Sequence, residues 1–391
     1  MKMIGTPEGS SDRLFAECAA WRSVQGALTG LFKHRGYSEI MTPETEYYDL
    51  FVQAGYPLPQ ESMMKVIDRS GRILSMRPDN TTPIARVMAS QLRTAPLPQR
   101  LYYNQNVYRS DDAHTGRSAQ IAQCGVELIG AAGMRADLEV ICMAIQAFEA
   151  AGVQDFQLEL GCVDYFAGLA EMLDAPEEVT AAMRRCIEEK NFTAYAELLS
   201  PYSDSEAGRA LADLSRMFGG REVLEKAGKN CPSQRAAAAL DYLQAVYDRL
   251  CEAGLADHVV FDLGLVQRLD YYTGVVFRAF GQGSGSVVLS GGRYDKLIGR
   301  LGYDVPAIGF AVDVQALSQC LNAAPVTKKQ TVVYYEDGSL GRAIACVAAE
   351  PKGTAVLSSA ETEDAAKEEA ACLGASVLVV VSAEGERRLV L

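Results

Sequence analysis

The sequence predicts an α+β protein built on an antiparallel sheet, and three features of the chain lead to this prediction. Strand-like segments with two-residue alternation occupy residues 65–130 and return after residue 259. An alanine-rich block at about 165–252 has helical spacing and almost no strand pattern, which predicts a helical insertion. From residue 328 onwards strands and helices alternate, as in a small α/β domain. The predicted domains are a core over 1–320 and a C-terminal domain over 328–391.

The first predicted element is an amphipathic helix. Its apolar residues keep three- and four-residue spacing from Leu14 to Phe32. Ser10 or Ser11 can cap its start, and Gly36 can end it in a left-handed conformation. One face of this helix is therefore expected to lie on the core.

Antiparallel strands and turns are expected between residues 65 and 130. Ser70 and Gly71 can form a hairpin turn between VIDR and RILSM, and the same strand-like pattern is expected to continue through MRPDNTTPIARV. Residues 135–150 have helical spacing. The strand order does not alternate with helices here, so a parallel sheet is not predicted.

Composition and charge exclude several classes of function. The chain has 37 Lys and Arg against 50 Asp and Glu, a net charge of −13, which disfavours binding to nucleic acid. The C-terminal domain has seven basic and ten acidic residues, so it shows no RNA-binding patch. The ten cysteines include no CxxC pair, which predicts free thiols in a reducing compartment and no metal site. We expect a cytoplasmic protein with no membrane span and no cofactor, because nucleotide-binding loops and long apolar segments are missing from the sequence.

Polar residues stand at positions where half-buried sheet residues are expected. Buried charges must be paired or used, and any one of these residues is most simply a structural ion pair or hydrogen bond. Their recurrence in five separated segments instead predicts a shared polar pocket on one face of the sheet. The residues are Arg77, Asp79, Thr81, Arg109, Gln123, Glu127, Tyr271, Tyr272 and Tyr294.

Over residues 1 to about 317 the chain resembles the class II aminoacyl-tRNA synthetase core of the histidyl type. Motif 1 resembles GYSEIMTPETE and motif 2 resembles VYRSDDAHTGRSAQIAQCGVE. The histidine signature resembles LVQRLDYYTG, and motif 3 resembles SGGRYDKLIGRLGYDVPAIGFAVDVQAL. The resemblance implies an antiparallel sheet flanked by helices, a helical insertion between motifs 2 and 3, and a homodimer formed through motif 1.

By the same resemblance the amino-acid pocket is retained. Asp79, Thr81 and Gln123 would hold the α-amino group of histidine, and Arg109 would hold its carboxylate. Glu127 and Tyr272 would bind the imidazole nitrogens, next to Tyr271, and Tyr294 would close the pocket. The chemistry suits free histidine, since carboxylates match an ammonium group and a guanidinium matches a carboxylate.

The nucleotide-binding half of the synthetase site is not retained. Adenylation needs fixed cations beside the reacting phosphate. Where histidyl-tRNA synthetases have arginine, this chain has Gln267 and Ala316; Ile121 replaces an adenine-stacking aromatic residue, and Ala119 replaces a second basic one. Arg109 and Arg117 remain, so weak contact with ATP stays open. No catalytic residue is predicted.

This combination resembles the regulatory subunit of ATP phosphoribosyltransferase, the synthetase-like partner of a short catalytic subunit in the first step of histidine biosynthesis. MRPDNTTPIARV and TGVVF also resemble that family. The resemblance implies a non-catalytic protein that binds histidine as effector and assembles with the catalytic subunit into a hetero-octamer, without binding tRNA. An active histidyl-tRNA synthetase, or a paralogue that adenylates an amino acid for another acceptor, remains the alternative.

Overall fold

The computed structural model describes residues 5–6, 9–55, 60–110, 118–229, 231–266, 272–321 and 330–391. The chain forms two compact units, Met1–Asn322 and Ala323–Leu391. Ten free cysteines lie in the described residues, and no helix there is both long and apolar enough to cross a membrane.

The elements of the larger unit follow one another in this order: α1 (Phe15–His34), β1 (Ser38–Glu39), β2 (Thr45–Tyr47), α2 (Tyr48–Ala54), β3 (Lys65–Ile67), β4 (Ile73–Met76), α3 (Thr81–Ala89), β5 (Gln99–Tyr108), β6 (Gln120–Ile129), α4 (Met134–Ala151), β7 (Phe156–Cys162), α5 (Val163–Glu171), α6 (Glu177–Glu188), α7 (Phe192–Leu199), α8 (Glu206–Ala212), β8 (Phe218–Gly219), α9 (Glu222–Gly228), α10 (Gln234–Glu252), β9 (Val259–Asp262), β10 (Val275–Gly281), β11 (Leu289–Arg293), α11 (Leu297–Arg300), β12 (Ala307–Asp313) and α12 (Val314–Gln319). Short 3₁₀ helices lie at Gln60–Ser62, Ser200–Tyr202, Leu214–Arg216 and Ala256–His258.

A nine-stranded sheet forms the centre of this unit, in the order β1-β5-β6-β12-β11-β10-β7-β9-β8. The pairs from β5 to β7 are antiparallel, whereas β1 with β5 and β7 with β9 are parallel. The α+β class and the helix-flanked sheet are thus confirmed, with a mixed sheet. The parallel pairs occur where long connections join the strands, and the helical insertion from α5 to α10 is one such crossover.

The two faces of the sheet have different chemistry because successive side chains point to opposite sides. One cross-strand row contains Tyr102, Val126, Phe310 and Phe277, all buried in the main core. Helices α1 and α4 cover this face, and Phe32 of α1 meets the ring of Phe310 edge-on at 5.9 Å between centroids. The opposite face is therefore free to hold polar groups.

Helix α1 confirms the first predicted helix but not its cap. It begins at Phe15 after Leu14, and no side chain caps its first turn. The predicted cap by Ser10 or Ser11 is wrong, because the chain before the helix is held elsewhere: Arg13 Nη2 donates to Gln315 Oε1 at 3.0 Å.

The β3–β4 hairpin is confirmed, and Gly71 in its turn has a positive φ of 79°. The strand-like pattern expected after it is wrong, since MRPDNTTPIARV turns into helix α3. Asp79, one residue before the N-cap Asn80, holds the first turn by accepting the backbone N–H and the hydroxyl of Thr82, at 3.0 and 2.9 Å. The motif of an aspartate followed by threonines and a proline is itself a helix-start signal.

The smaller unit contains β13 (Thr331–Tyr335), α13 (Leu340–Ala349), β14 (Ala355–Leu357), α14 (Glu363–Cys372), β15 (Val377–Ser382) and β16 (Gly385–Val390). Its sheet has the order β14-β13-β15-β16, and only the β15–β16 pair is antiparallel. Val332 and Leu378 pack with α14, while Val333 and Val379 pack with α13, so one helix covers each face.

Candidate functional site

The polar face of the large sheet has a floor of glycines. Glu127 on β6 pairs in register with Gly309 on β12, which pairs with Gly292 on β11. A Cβ atom on Gly309 would overlap the Glu127 carboxylate, and one on Gly292 would lie 2.7 Å from the ring of Tyr272. The missing side chains therefore make the room that Glu127 and Tyr272 occupy.

The polar face and the side chains on it form a cleft, and Glu127 lies at its buried end, hereafter the closed end. A hydroxyl group donates a hydrogen bond to each of the two carboxylate oxygens of Glu127. Thr81 Oγ1 donates to Glu127 Oε1 at 2.8 Å, and the Tyr294 hydroxyl donates to Oε2. Glu127 is 1% exposed and Tyr294 is 2% exposed. Three separated segments of the sequence thus converge on one buried carboxylate.

Burial raises the pKa of Glu127 to about 8, although the hydrogen bonds from Tyr294 and Thr81 oppose the shift. The pKa of Tyr272 is also raised, by burial first and then by the nearby negative charges of Glu127 and Asp79. The closed end can therefore accept or donate hydrogen bonds near neutral pH, which suits a ring with two nitrogens.

Asp79 and Arg109 lie together beside the start of α3. Burial raises the pKa of Asp79 to about 6, while the Thr82 hydrogen bonds and the charge of Arg109 lower it. Arg109 Nε donates to the carbonyl of Pro78 at 2.7 Å. One anionic and one cationic group thus stand in the same wall, which is the complement that a zwitterion needs.

A chain of side-chain amides extends the wall along the strands. Asn80 Nδ2 donates to Gln123 Oε1 at 3.2 Å, and Gln105 Nε2 donates to Asn80 Oδ1 at 3.4 Å. Sequence reasoning missed Asn80 and Gln105. Gln105 could have been predicted, because it lies two residues after Tyr103 on β5 and both side chains therefore lie on the site face. Arg77 proves structural: it is 2% exposed and donates to the carbonyls of residues 42, 43 and 106.

The structure brings most of the predicted pocket residues to this one face. Thr81, Glu127 and Tyr294 are directly bonded, Tyr272 lies on the glycine floor, and Gln123 joins the amide chain. Tyr271, Gln267 and Arg117 lie outside the described residues.

At the other end of the polar face, hereafter the open end of the cleft, three positions that the synthetase resemblance assigns to adenylation carry apolar residues. Ile121 lies near the start of β6 and Ala119 lies just before that strand, while Ala316 is buried in the first turn of α12. Ala119 N–H donates to the carbonyl of Gly9 at 2.7 Å, so the N-terminal segment passes beside it. Within the part of the chain that the structure covers, no group of histidine, cysteine and acidic residues could hold a metal ion.

Behind the pocket wall, Arg293 anchors the end of β11. Its Nε donates to Asp137 Oδ1 at 2.8 Å and its Nη1 donates to Asp295 Oδ1 at 2.9 Å. Tyr242 of α10 donates to the other oxygen of Asp137. Arg293, the residue before Tyr294, is therefore bonded to α4 directly and linked to α10 through Asp137.

Comparison with known proteins agrees with this architecture. Residues 9–317 match the family model of histidyl-tRNA synthetase. A crystal structure from Bacillus halodurans, titled ATP phosphoribosyltransferase regulatory subunit/histidyl-tRNA synthetase, has a TM-score of 0.84 and 31% identity over 94% of this chain and 97% of that one. Histidyl-tRNA synthetase from a Nostoc species has a TM-score of 0.80 at 18% identity, over 100% of this chain and 97% of the other, and so shares the fold.

The names of two curated relatives distinguish between a regulatory subunit and a synthetase. A protein of Clostridium acetobutylicum is 38% identical over 87% of this chain and 86% of its own length. One of Clostridium kluyveri is 39% identical over 84% of this chain and 86% of its own length. Both are named ATP phosphoribosyltransferase regulatory subunit. From these relatives and the match over residues 9–317, this chain belongs to the family of ATP phosphoribosyltransferase regulatory subunits.

Proposed function

We propose that the chain binds free histidine in the glycine-floored cleft and, in complex with the short catalytic subunit of ATP phosphoribosyltransferase, activates that subunit and inhibits it when histidine is bound. The observation that carries the proposal is the convergence of Thr81 and Tyr294 on the buried carboxylate of Glu127. A carboxylate held this way can accept an imidazole N–H, and Tyr272 beside it can bond the second nitrogen.

The rest of the cleft supports the amino-acid part of the ligand. Asp79 faces the α-ammonium group and Arg109 faces the carboxylate in this proposal, with Thr81, Gln123 and Tyr271 adding hydrogen bonds. A free amino acid uses both charges at once, whereas a histidine residue within a peptide would leave them unpaired.

The proposal also states that the chain catalyses no reaction of its own. Ala119, Ile121 and Ala316 supply no charge and no stacking ring where an adenylating enzyme needs them. The transfer that joins ATP to phosphoribosyl pyrophosphate then belongs to the partner, and regulation requires that histidine bind two states of the complex with different affinity. We further propose that the subunit is a homodimer through motif 1 within a hetero-octamer.

The test combines the short catalytic subunit with this chain and measures turnover with and without histidine. We expect activity to rise on mixing and to fall again with histidine. In Glu127→Ala, histidine binding by calorimetry should weaken by about 1 to 3 kcal/mol, so inhibition is lost while activation stays.

Glu159→Ala is the matched control. Glu159 is also a buried carboxylate on the same face of the sheet, but it pairs with Arg278 rather than with the cleft. Equal histidine affinity in the two variants, or full activity of the catalytic subunit alone, contradicts the proposal.

A further inference from the structure

A carboxylate occupies the open end of the cleft. Asp313 is the last residue of β12 and pairs in register with Gln123 of β6, so its side chain leaves the sheet on the site face, two residues along the strand from Ala311 and four from Gly309. It is half-buried. The sequence alone does not predict a ligand-related role for Asp313, because an aspartate before a short helix is ordinarily only a cap.

Asp313 is held rigidly in this position. Its Oδ1 accepts the backbone N–H groups of Gln315 and Ala316 at 2.9 and 3.0 Å, which caps α12. The N–H groups that could have received an anion from solution are therefore already bonded to a carboxylate of the chain itself.

The nearby cations are engaged as well. Burial raises the pKa of Asp313, whereas the N–H groups of Ala316 and Gln315 and then the charges of Arg109 and Arg13 favour its ionised form. Arg13 also bonds to Gln315 and lies over the ring of Trp21 at 3.8 Å. The fixed negative charge of Asp313 thus lies at this end beside the guanidinium groups of Arg13 and Arg109.

We propose that Asp313 is a selectivity residue: its carboxylate repels the phosphates of nucleotides from the open end, so the cleft admits a free amino acid and excludes a nucleoside triphosphate. This inference rests on the proposed function in one respect, that the cleft is a ligand site. It adds that loss of cations at Ala119 and Ala316 is accompanied by an active electrostatic exclusion. A zwitterion of one amino acid carries no net charge, so the same carboxylate opposes it far less.

The experiment neutralises Asp313 while keeping the helix cap. Asp313→Asn and Asp313→Ser both retain an oxygen that can accept the N–H groups of α12. Asp304→Asn removes an exposed aspartate outside the cleft and controls for net charge. Fluorescent analogues of ATP, AMP and adenosine are titrated against the full chain in magnesium-free buffer, and thermal unfolding shows that each variant is folded.

We expect the ATP analogue to bind at least about tenfold more tightly to both neutral variants than to the parent, with a smaller gain for AMP and none for adenosine. The Asp304→Asn variant should behave like the parent. Unchanged nucleotide affinity overturns the inference. A gain of equal size for adenosine overturns it too, because that result would indicate added space rather than removed charge.

Histidine is titrated against the same samples, which keeps the two proposals separable. If the parent chain fails to bind histidine, the proposed function is contradicted whatever the nucleotides do. If histidine binds and the neutral variants gain no affinity for ATP, the role of Asp313 alone is contradicted.

Discussion

The closed and open ends of the cleft share one sheet face but differ in what their charged groups bond. At the closed end, Glu127 accepts two side-chain hydroxyls, and both donors are groups that a ligand can replace or share. At the open end, Asp313 accepts two backbone N–H groups that belong to its own helix. The comparison shows that the carboxylate at one end bonds side-chain hydroxyls, whereas the carboxylate at the other end is satisfied by the backbone of its own helix.

The largest expected effect concerns chemistry at the open end. Histidine-dependent pyrophosphate exchange should be at least about a hundredfold slower than in a synthetase, because Ala119 and Ala316 stand where the synthetase resemblance implies basic residues. A histidyl-tRNA synthetase assayed beside it under the same conditions gives the reference rate. Exchange at a typical enzyme turnover, roughly 1 to 1000 per second, contradicts the difference drawn between the two ends.

A second effect should appear in the pH dependence of stability. The pKa of Glu127 is raised to about 8, so between its usual value and about 8 the folded chain keeps a proton that the unfolded chain has released. The free energy of unfolding should therefore fall as pH rises through this window, by at most about 1.4 kcal/mol per pH unit from this group. The pKa of Asp79 is raised to about 6, so this group also makes the free energy of unfolding fall with rising pH, over the lower part of the same pH window.

Urea unfolding of the parent and of Glu127→Gln at several pH values between about 6 and 8 checks this dependence. The variant should show a flatter profile, since its amide does not titrate. Profiles of equal slope would show that Glu127 is ionised in the folded chain throughout, and the protonation argument for the closed end would then fail.

A third effect concerns the glycine floor. Gly309→Ala places a methyl group against the Glu127 carboxylate and the carbonyl of Val126, and should cost about 1 to 3 kcal/mol of unfolding free energy. Gly26→Ala is the control, because Gly26 is exposed on α1 with nothing within 4 Å of an added Cβ, and should instead stabilise by about 0.5 to 1 kcal/mol. Both values come from urea unfolding, and a Gly309→Ala chain as stable as the parent contradicts the close approach.

Much of the fold was predictable because hydrophobic period reports directly on burial. The helical insertion, the β3–β4 hairpin and the strands around Gly291 follow their patterns. Helix α3 did not, because its short apolar stretch can be taken for a strand, and only the Asp79 cap with Pro83 distinguishes it.

The site was predictable only in part. The polar residues in strand-like segments predicted that Glu127 belongs to the pocket. The sequence around Thr81 and Tyr294 did not indicate that both would bond the same carboxylate. Asn80 and Asp313 were missed because an amide or carboxylate beside a helix start has a sufficient local explanation. Their contribution depends on which strand lies next to them, and strand pairing is set by the whole sheet.

The glycine floor also has an entropic consequence. A glycine inside a strand loses more conformational freedom on folding than alanine would, at roughly 0.5 to 1 kcal/mol for each position. Gly292 and Gly309 lie in consecutive strands of one row. The unit therefore gives up about 1 to 2 kcal/mol of folding free energy so that Glu127 and Tyr272 can lie directly against the backbone of its sheet. A methyl group at either position would have to displace one of these two side chains, so the two glycines determine where both of them lie.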